Sequence, residues 1–344
     1  MSIANEITRL QTAKSNIKTA LENKGVAVDS AATLDSYATY VNDIPSGGGN
    51  PLIKSIEVED FTGTTFNEFS TYITELTIPS GVTKIGKLAF YRLLGVTNID
   101  MPNSVTSIGE QAFYECYNVT AITISSGVTK IESNTFVHCE SLTSIDIPSG
   151  VTSIGQAAFA YCYSLSKVKI PSSVTSLGDT CFSSCYSLTS IGTIGSDSSV
   201  EIPNSVTSLD GTFAYCSGLT NVTIPDTVTN IGNSAFSTCR NLTSCTIGSG
   251  VTSIGENAFS YCVKLENIVI PSGVTTIGGR AFNNCSSLTS VTVLATTPPT
   301  LGNTNAFNNT PIGSIYVPSE SVEAYKAATN WSAYASQIQA IPNS

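Results

Sequence analysis

The sequence predicts a mostly β, right-handed solenoid made of 23-residue coils with short helical turns, flanked by an N-terminal α-helical module and a C-terminal helical cap. Three observations lead there. A phenylalanine returns at Phe90, Phe113, Phe136, Phe159, Phe182, Phe213, Phe236, Phe259 and Phe282, each 23 residues from the last except for one gap of 31, and a degenerate copy carries Phe307. The same line surrounds each one, as in PSGVTSIGQAAFAYCYSLSKVKI at 148–170. Within that line the apolar spacing changes from period two to a tighter one, so extended and turned segments alternate inside every copy. A unit of this length cannot bury its apolar face alone and must stack on copies of itself.

Residues 1–44 stand outside the repeat. Ile3, Ile7, Leu10, Ile17 and Leu21 fall at spacings of four and three with Lys14 in the skipped slot, the seam of an amphipathic helix. Gly25 ends it, and Leu34, Tyr37, Val41 and Ile44 mark one face of a second short helix behind Thr33. Two such helices bury too little to stand alone. They read as an attachment or oligomerisation module that pairs with copies of itself or docks on another protein, with a cap on the solenoid end as the alternative. Residues 45–50 form a Gly/Ser linker. The solenoid spans 51–317 and opens on an irregular unit containing Ile56, Val58, Leu76 and Ile78.

In a regular unit Leu142, Ile145 and Ile147 point inward and Ser144 and Asp146 outward, as in a strand that Pro148 ends. Val151 and Ile154 make a second short extended run, and Gly155 permits a bend. Ala158, Phe159 and Cys162 then fit one turn of 3-10 or α helix that carries Phe159 inward. The excursion GTIGSDSSVE between Ile191 and Pro203 reads as a loop on one face, and the unit of Phe213 is one residue short. Residues 318–344 read as the cap: Ser319 as N-cap, Glu320 and Glu323 in the first turn, and Val322, Tyr325 and Trp331 as apolar contacts over the last sheet edge.

Composition narrows the function. The 344 residues hold 15 Lys and Arg against 25 Asp and Glu, a formal charge of −10, which argues against nucleic acid and against an anionic membrane surface. No stretch approaches the ~20 apolar residues of a membrane span, so no membrane insertion is expected. MSIANEITRLQTAK has no apolar signal region, which suggests an exit other than general secretion, such as lysis.

Eight of the ten cysteines, Cys116, Cys139, Cys162, Cys185, Cys216, Cys239, Cys262 and Cys285, share one repeat position and should form a column. Stacked side chains point the same way rather than at each other, so these read as free, buried, small hydrophobes. No cysteine pair has CxxC spacing and His138 is the sole histidine, so no metal site, catalytic relay or cofactor is expected. The candidate binding residues are Tyr91, Tyr114, Tyr117, Tyr161, Tyr163, Tyr186, Tyr215 and Tyr261. They flank the Phe and Cys of successive units and should gather along one edge. The outward strand positions, Thr77, Thr123, Thr223, Thr246 and Thr292 among them, form a second, flat polar face that suits either a ligand or simple sheet chemistry.

The line IPxxVTSIGxxAFxxCxSLTSIxI, seen at 147–170 and again at 224–247, resembles the BspA-like, treponemal-type leucine-rich repeat over roughly residues 76–317. That resemblance implies surface adhesins and interaction proteins rather than enzymes. The tail IYVPSESVEAYKAATNWSAYASQIQAI resembles the terminal unit of such proteins in gut bacteria. MSIANEITRLQTAKSNIKTALENKGV with TLDSYATYVNDI resembles the N-terminal module of tail-associated proteins of bacteriophages and prophages. Together these imply a non-enzymatic binding rod in a virion, held to tail or baseplate proteins or to copies of itself by residues 1–44. It would recognise a bacterial surface glycan or protein. The alternative is an extracellular or cell-surface adhesin or scaffold that binds host proteins.

Overall fold

A computed structural model describes residues 76, 78, 80–192 and 200–342 of the chain. The helical seam of 1–44, the linker 45–50, Ile56 and Val58 lie outside the described residues. From Ile78 onward the chain winds through stacked coils joined by three ladders.

The first ladder is the strand that precedes each proline. Ser144–Asp146 pairs parallel with Lys167–Lys169, Ser144 opposite Lys167 and Ile145 opposite Val168, so each residue meets its own repeat equivalent. Period two buries Ile145 and exposes Ser144 and Asp146. The second ladder is the VTSI run, where Lys130–Ile131, Ser153–Ile154 and Ser176–Leu177 pair parallel in the same register. Parallel neighbours joined by a crossover take the right-handed winding. Threonine recurs beside both ladders for a reason the strand pattern does not reveal: its hydroxyl donates to the carbonyl of the equivalent residue one coil back. Thr106 reaches Thr83 at 3.2 Å, Thr252 reaches Thr229 at 3.0 Å, and Thr243 reaches Thr220 at 3.0 Å.

The third ladder is the Phe turn, and here the helical turn expected from sequence is corrected. The residues two before and two after each of the nine regular Phe carry positive φ, as in Ala157 (51°) and Tyr161 (61°) around Phe159, so no right-handed helical turn can form. Left-handed residues set every second peptide along the rod axis. Ala157, Phe159 and Tyr161 each donate their N–H to the next coil, to the carbonyls of Asp179, Cys181 and Ser183 at 2.8–2.9 Å. Those bonds hold in place a conformation that L-residues disfavour.

The phenylalanines line the core. All nine regular copies are fully buried, and successive rings stack with centroids from 5.1 Å (Phe90–Phe113) to 6.0 Å (Phe182–Phe213). Phe136 and Phe159 lie 5.2 Å apart, one coil step. The ten cysteines are free and buried, but the eight in the column are more than small hydrophobes. Each thiol donates to the carbonyl of the phenylalanine one coil back, at 3.1–3.5 Å, as in Cys162 to Phe136 at 3.3 Å. In the last coil Thr310 takes over, its hydroxyl 2.6 Å from the Phe282 oxygen. From Cys116 to Thr310 the position therefore carries a compact hydrogen-bond donor, whereas in the first regular coil the buried Leu93 fills it.

Three further readings change. Gly155 does not serve as a flexible bend: a Cβ there would lie 2.6 Å from the Ser133 nitrogen of the coil below, so the glycine gives clearance. The excursion after Ile191 is not only a loop. Val200–Glu201 returns as an extra strand, with Val200 bridging Ile191 on one side and Val222 on the other, whereas the Phe turns advance a single step at that level. At the C-terminus the helix is short, Val322–Ala327, and follows a 3-10 turn at Ser319–Ser321 without a side-chain cap bond. What covers the last sheet edge is a strand, Ile338–Ala340, paired parallel with Ser314–Val317. Tyr325 and Trp331 are fully buried and tie the cap down by donating to the carbonyls of Ala295 and Pro299, both at 2.7 Å.

The candidate binding edge

The same left-handed turns position the tyrosines. Tyr91 and Tyr114 follow their phenylalanines directly; Tyr161, Tyr215 and Tyr261 stand two residues beyond, on the second left-handed residue; Tyr117, Tyr163 and Tyr186 follow the column cysteines. All therefore lie outside the Phe stack, along one edge of the coils. A left-handed residue has its Cα–Cβ bond turned away from the direction it takes in a right-handed turn, and Tyr161, Tyr215 and Tyr261, which stand on such residues, are exposed.

Two regimes divide the edge. From Tyr91 to Tyr186 the rings touch: Tyr91 stacks on Tyr114 at 5.7 Å, His138 on Tyr161 at 4.5 Å, and Tyr163 on Tyr186 at 5.0 Å with planes 2° apart. Tyr117 and Tyr163 meet His138 edge-on at 6.1 and 6.3 Å. His138 is thus part of the cluster, a role its lone appearance in the sequence did not suggest. Its Nδ1 lies 3.0 Å from Glu140 Oε1, and because a carboxylate only accepts, Nδ1 carries the hydrogen. Glu115 pairs with Arg92 at 3.2 Å. Burial, and then the Glu115 carboxylate to which it is bonded, push the Tyr117 phenol up to about 12. Tyr114 and Tyr163 are raised too, first by burial and then by Glu115 and Glu140 respectively.

Toward the C-terminus the rings separate. Tyr215 and Tyr261 have no aromatic neighbour among the described residues, and they are 47% and 44% exposed; Tyr161 and Tyr186, at the end of the cluster, are 42% and 46% exposed. On the strand face Thr123, Thr223 and Thr246 are exposed and Thr292 partly so; Thr123 donates to Asp100 at 2.8 Å, a cross-strand contact of the sheet itself. Thr77 and the seam residues Ile3, Ile7, Leu10, Ile17 and Leu21 lie outside the described residues. Among the described residues no group of three or more His, Cys, Asp or Glu is placed to hold a metal ion, and no helix is long and apolar enough to cross a membrane.

Three solved structures are similar to this chain, and the first of them shares its fold. A leucine-rich repeat protein from Bacteroides ovatus aligns over 79% of this chain and 79% of its own, at 24% identity and a TM-score of 0.55. A leucine-rich repeat protein of T. pallidum aligns over 60% and 72% at 25% identity, TM-score 0.39. A leucine-rich cell surface protein from Faecalibacterium prausnitzii aligns over 74% and 86% at 26% identity, TM-score 0.34. No curated protein matches the sequence. The family model for the BspA type leucine-rich repeat region matches residues 59–189 and 209–332, and its gap falls on the excursion that adds the extra strand. The repeat, the three ladders and a family match over well more than half the sequence lead to one conclusion: the chain belongs to the BspA type leucine-rich repeat family.

Proposed function

We propose that this chain is a non-enzymatic binding rod of the surface-adhesin kind, which holds a cell-surface glycan or a protein partner on its tyrosine edge. The observation that carries the reading is the exposure of Tyr161, Tyr186, Tyr215 and Tyr261. Three of them stand on left-handed turns fixed by inter-coil hydrogen bonds, where a free chain would not hold them. Tyrosine combines rigid apolar area with a polar tip and has few rotamers to lose on binding. The uncharged Ser and Asn around it suit adaptable polar contacts.

The test is adsorption of the whole protein to bacterial and host cells, comparing wild type with a Tyr161→Ser, Tyr163→Ser, Tyr186→Ser triple variant. Melting should be nearly unchanged, because the three rings lie outside the Phe core, and adsorption should fall roughly tenfold or more. Unchanged adsorption would discard the edge as the contact surface. The tail-protein reading differs only in residues 1–44, which precede the match to the family model. It requires that segment to make a trimer or to attach the rod to a ring of tail proteins, and a monomer with no affinity for such proteins excludes it.

A further inference from the structure

We propose that the rod is jointed. Its second ladder is open at two levels, between Ile108 and Ile131 and between Leu177 and Leu209, and at each of these seams the stack bends about the Phe turn, which stays closed.

The seams are defined by their hydrogen bonds. At a closed level the upper coil donates twice across this ladder, Thr152 to Thr129 at 2.9 Å and Gly155 to Ile131 at 2.8 Å, or Thr252 to Thr229 at 2.9 Å and Gly255 to Ile231 at 2.7 Å. Among the described residues the matching bonds from Thr129 to Thr106, Glu132 to Ile108, Thr207 to Thr175 and Asp210 to Leu177 do not form. Nor does Ser107–Ile108 pair with Lys130–Ile131, or Ser176–Leu177 with Ser208–Leu209. Every other level from Ile85 to Leu301 is paired. Leu177, below the second seam, is 7% exposed, whereas the other inward residues of this ladder are at most 2% exposed.

One residue position accounts for both seams. The slot after the strand holds the glycine that clears the coil below: a Cβ at Gly109, Gly155, Gly255 or Gly278 would lie 2.5–2.6 Å from a backbone nitrogen of that coil. From Gly86 to Gly302 the slot carries a side chain only at Glu132 and Asp210, and the levels beneath those two residues are the ones that open. A Cβ cannot sit that close to backbone, so the coil lifts, and lifting takes the amides out of hydrogen-bond range. At the second seam the extra strand Val200–Glu201 widens the first ladder as well. The Phe turn is not lifted. Phe113 donates to Thr135 at 2.9 Å across the first seam and Phe182 to Thr212 at 3.0 Å across the second, while the Cys139 and Cys216 thiols keep their bonds to Phe113 and Phe182 at 3.5 and 3.2 Å. A stack bonded on one side and unbonded on another pivots on the bonded side. The tyrosine edge, beside the Phe turn, therefore stays continuous while the second ladder opens, and opening costs least where no inter-coil bond must break.

The experiment is amide hydrogen exchange of the full chain, followed by mass spectrometry. Segments 128–132 and 206–210 should exchange roughly tenfold or more faster than their closed equivalents 151–155 and 228–232. Glu132→Gly and Asp210→Gly, which restore the clearance residue, should each slow exchange comparably at their own seam and not at the other. Gly155→Ala should open a third seam and speed exchange at 151–155. Equal exchange at seams and closed levels, or seams that the glycine variants leave unchanged, overturns the proposal. Bending is read by electron paramagnetic resonance distances between spin labels on introduced cysteines, since the native thiols are buried. Thr152→Cys with Thr252→Cys spans the second seam; Thr207→Cys with Thr300→Cys spans the same number of coils and no seam, and all four positions are exposed. The first pair should give the broader distance distribution, and Asp210→Gly should narrow it. Equal widths, or a width that Asp210→Gly does not change, reject the joint.

Discussion

Replacing Cys162 in turn by alanine, serine and threonine separates two accounts of the cysteine column. If cysteine is present for its apolar bulk, alanine should be tolerated best and serine worst, because a buried hydroxyl is costly to desolvate. The geometry implies that threonine is tolerated best, serine next and alanine worst. The Cys162 thiol donates to the Phe136 carbonyl at 3.3 Å. Alanine loses that bond, worth about 1 kcal/mol, and leaves a void the size of a sulfur atom, worth about another 1 kcal/mol. Serine keeps the donor and loses some volume, so roughly 1 kcal/mol is expected. Threonine keeps both and already serves at this position in the last coil, where Thr310 donates to Phe282 at 2.6 Å; its change should stay below about 1 kcal/mol. Urea midpoints followed by far-UV circular dichroism, at unchanged slope, give the order directly. Alanine as stable as wild type, or more stable than both serine and threonine, would refute the donor role.

Two other predictions concern the core. Thr212 stands where Ala158, Ala235 and Ala258 stand in other coils; it is fully buried, and its hydroxyl has no partner. Thr135, at the same position, donates to the Glu132 carbonyl at 2.7 Å. In the shortened coil the residue three back from Thr212 is Leu209, whose oxygen accepts the Gly232 N–H. Thr212→Ala should therefore stabilise by about 1 kcal/mol, and a lower melting temperature would contradict this. Burial pushes the Cys116 and Cys162 thiols up to about 12 and the other column thiols upward as well. The unfolded chain ionises them near pH 8.5, so their contribution is complete below that pH and is lost as pH rises toward the folded values, by about 1.4 kcal/mol per thiol per pH unit. Denaturation midpoints should fall between about pH 8 and 10, less steeply in the Cys162→Thr variant, and a flat profile would mean the thiols are not buried.

Coil length, parallel stacking, the inward rows of Phe, Ile, Val and Leu, and the gathering of eight tyrosines along one edge were all legible in the sequence. Each of these is a property of one unit repeated, and a fixed period turns a residue's place in the unit into its place in space. Other features come from contacts between coils. The sign of φ beside Phe159, the partner of the Cys162 thiol and the clearance at Gly155 all depend on the coil above or below, about 23 residues away in the chain, and no local spacing encodes them. One signal of the left-handed turn was readable: Asn134, Asn257, Asn284 and Asn309 occupy it, and asparagine tolerates that conformation better than most residues. The terminal strand Ile338–Ala340 was hidden for a related reason, since three residues become a strand only because Ser314–Val317 offers them an unpaired edge.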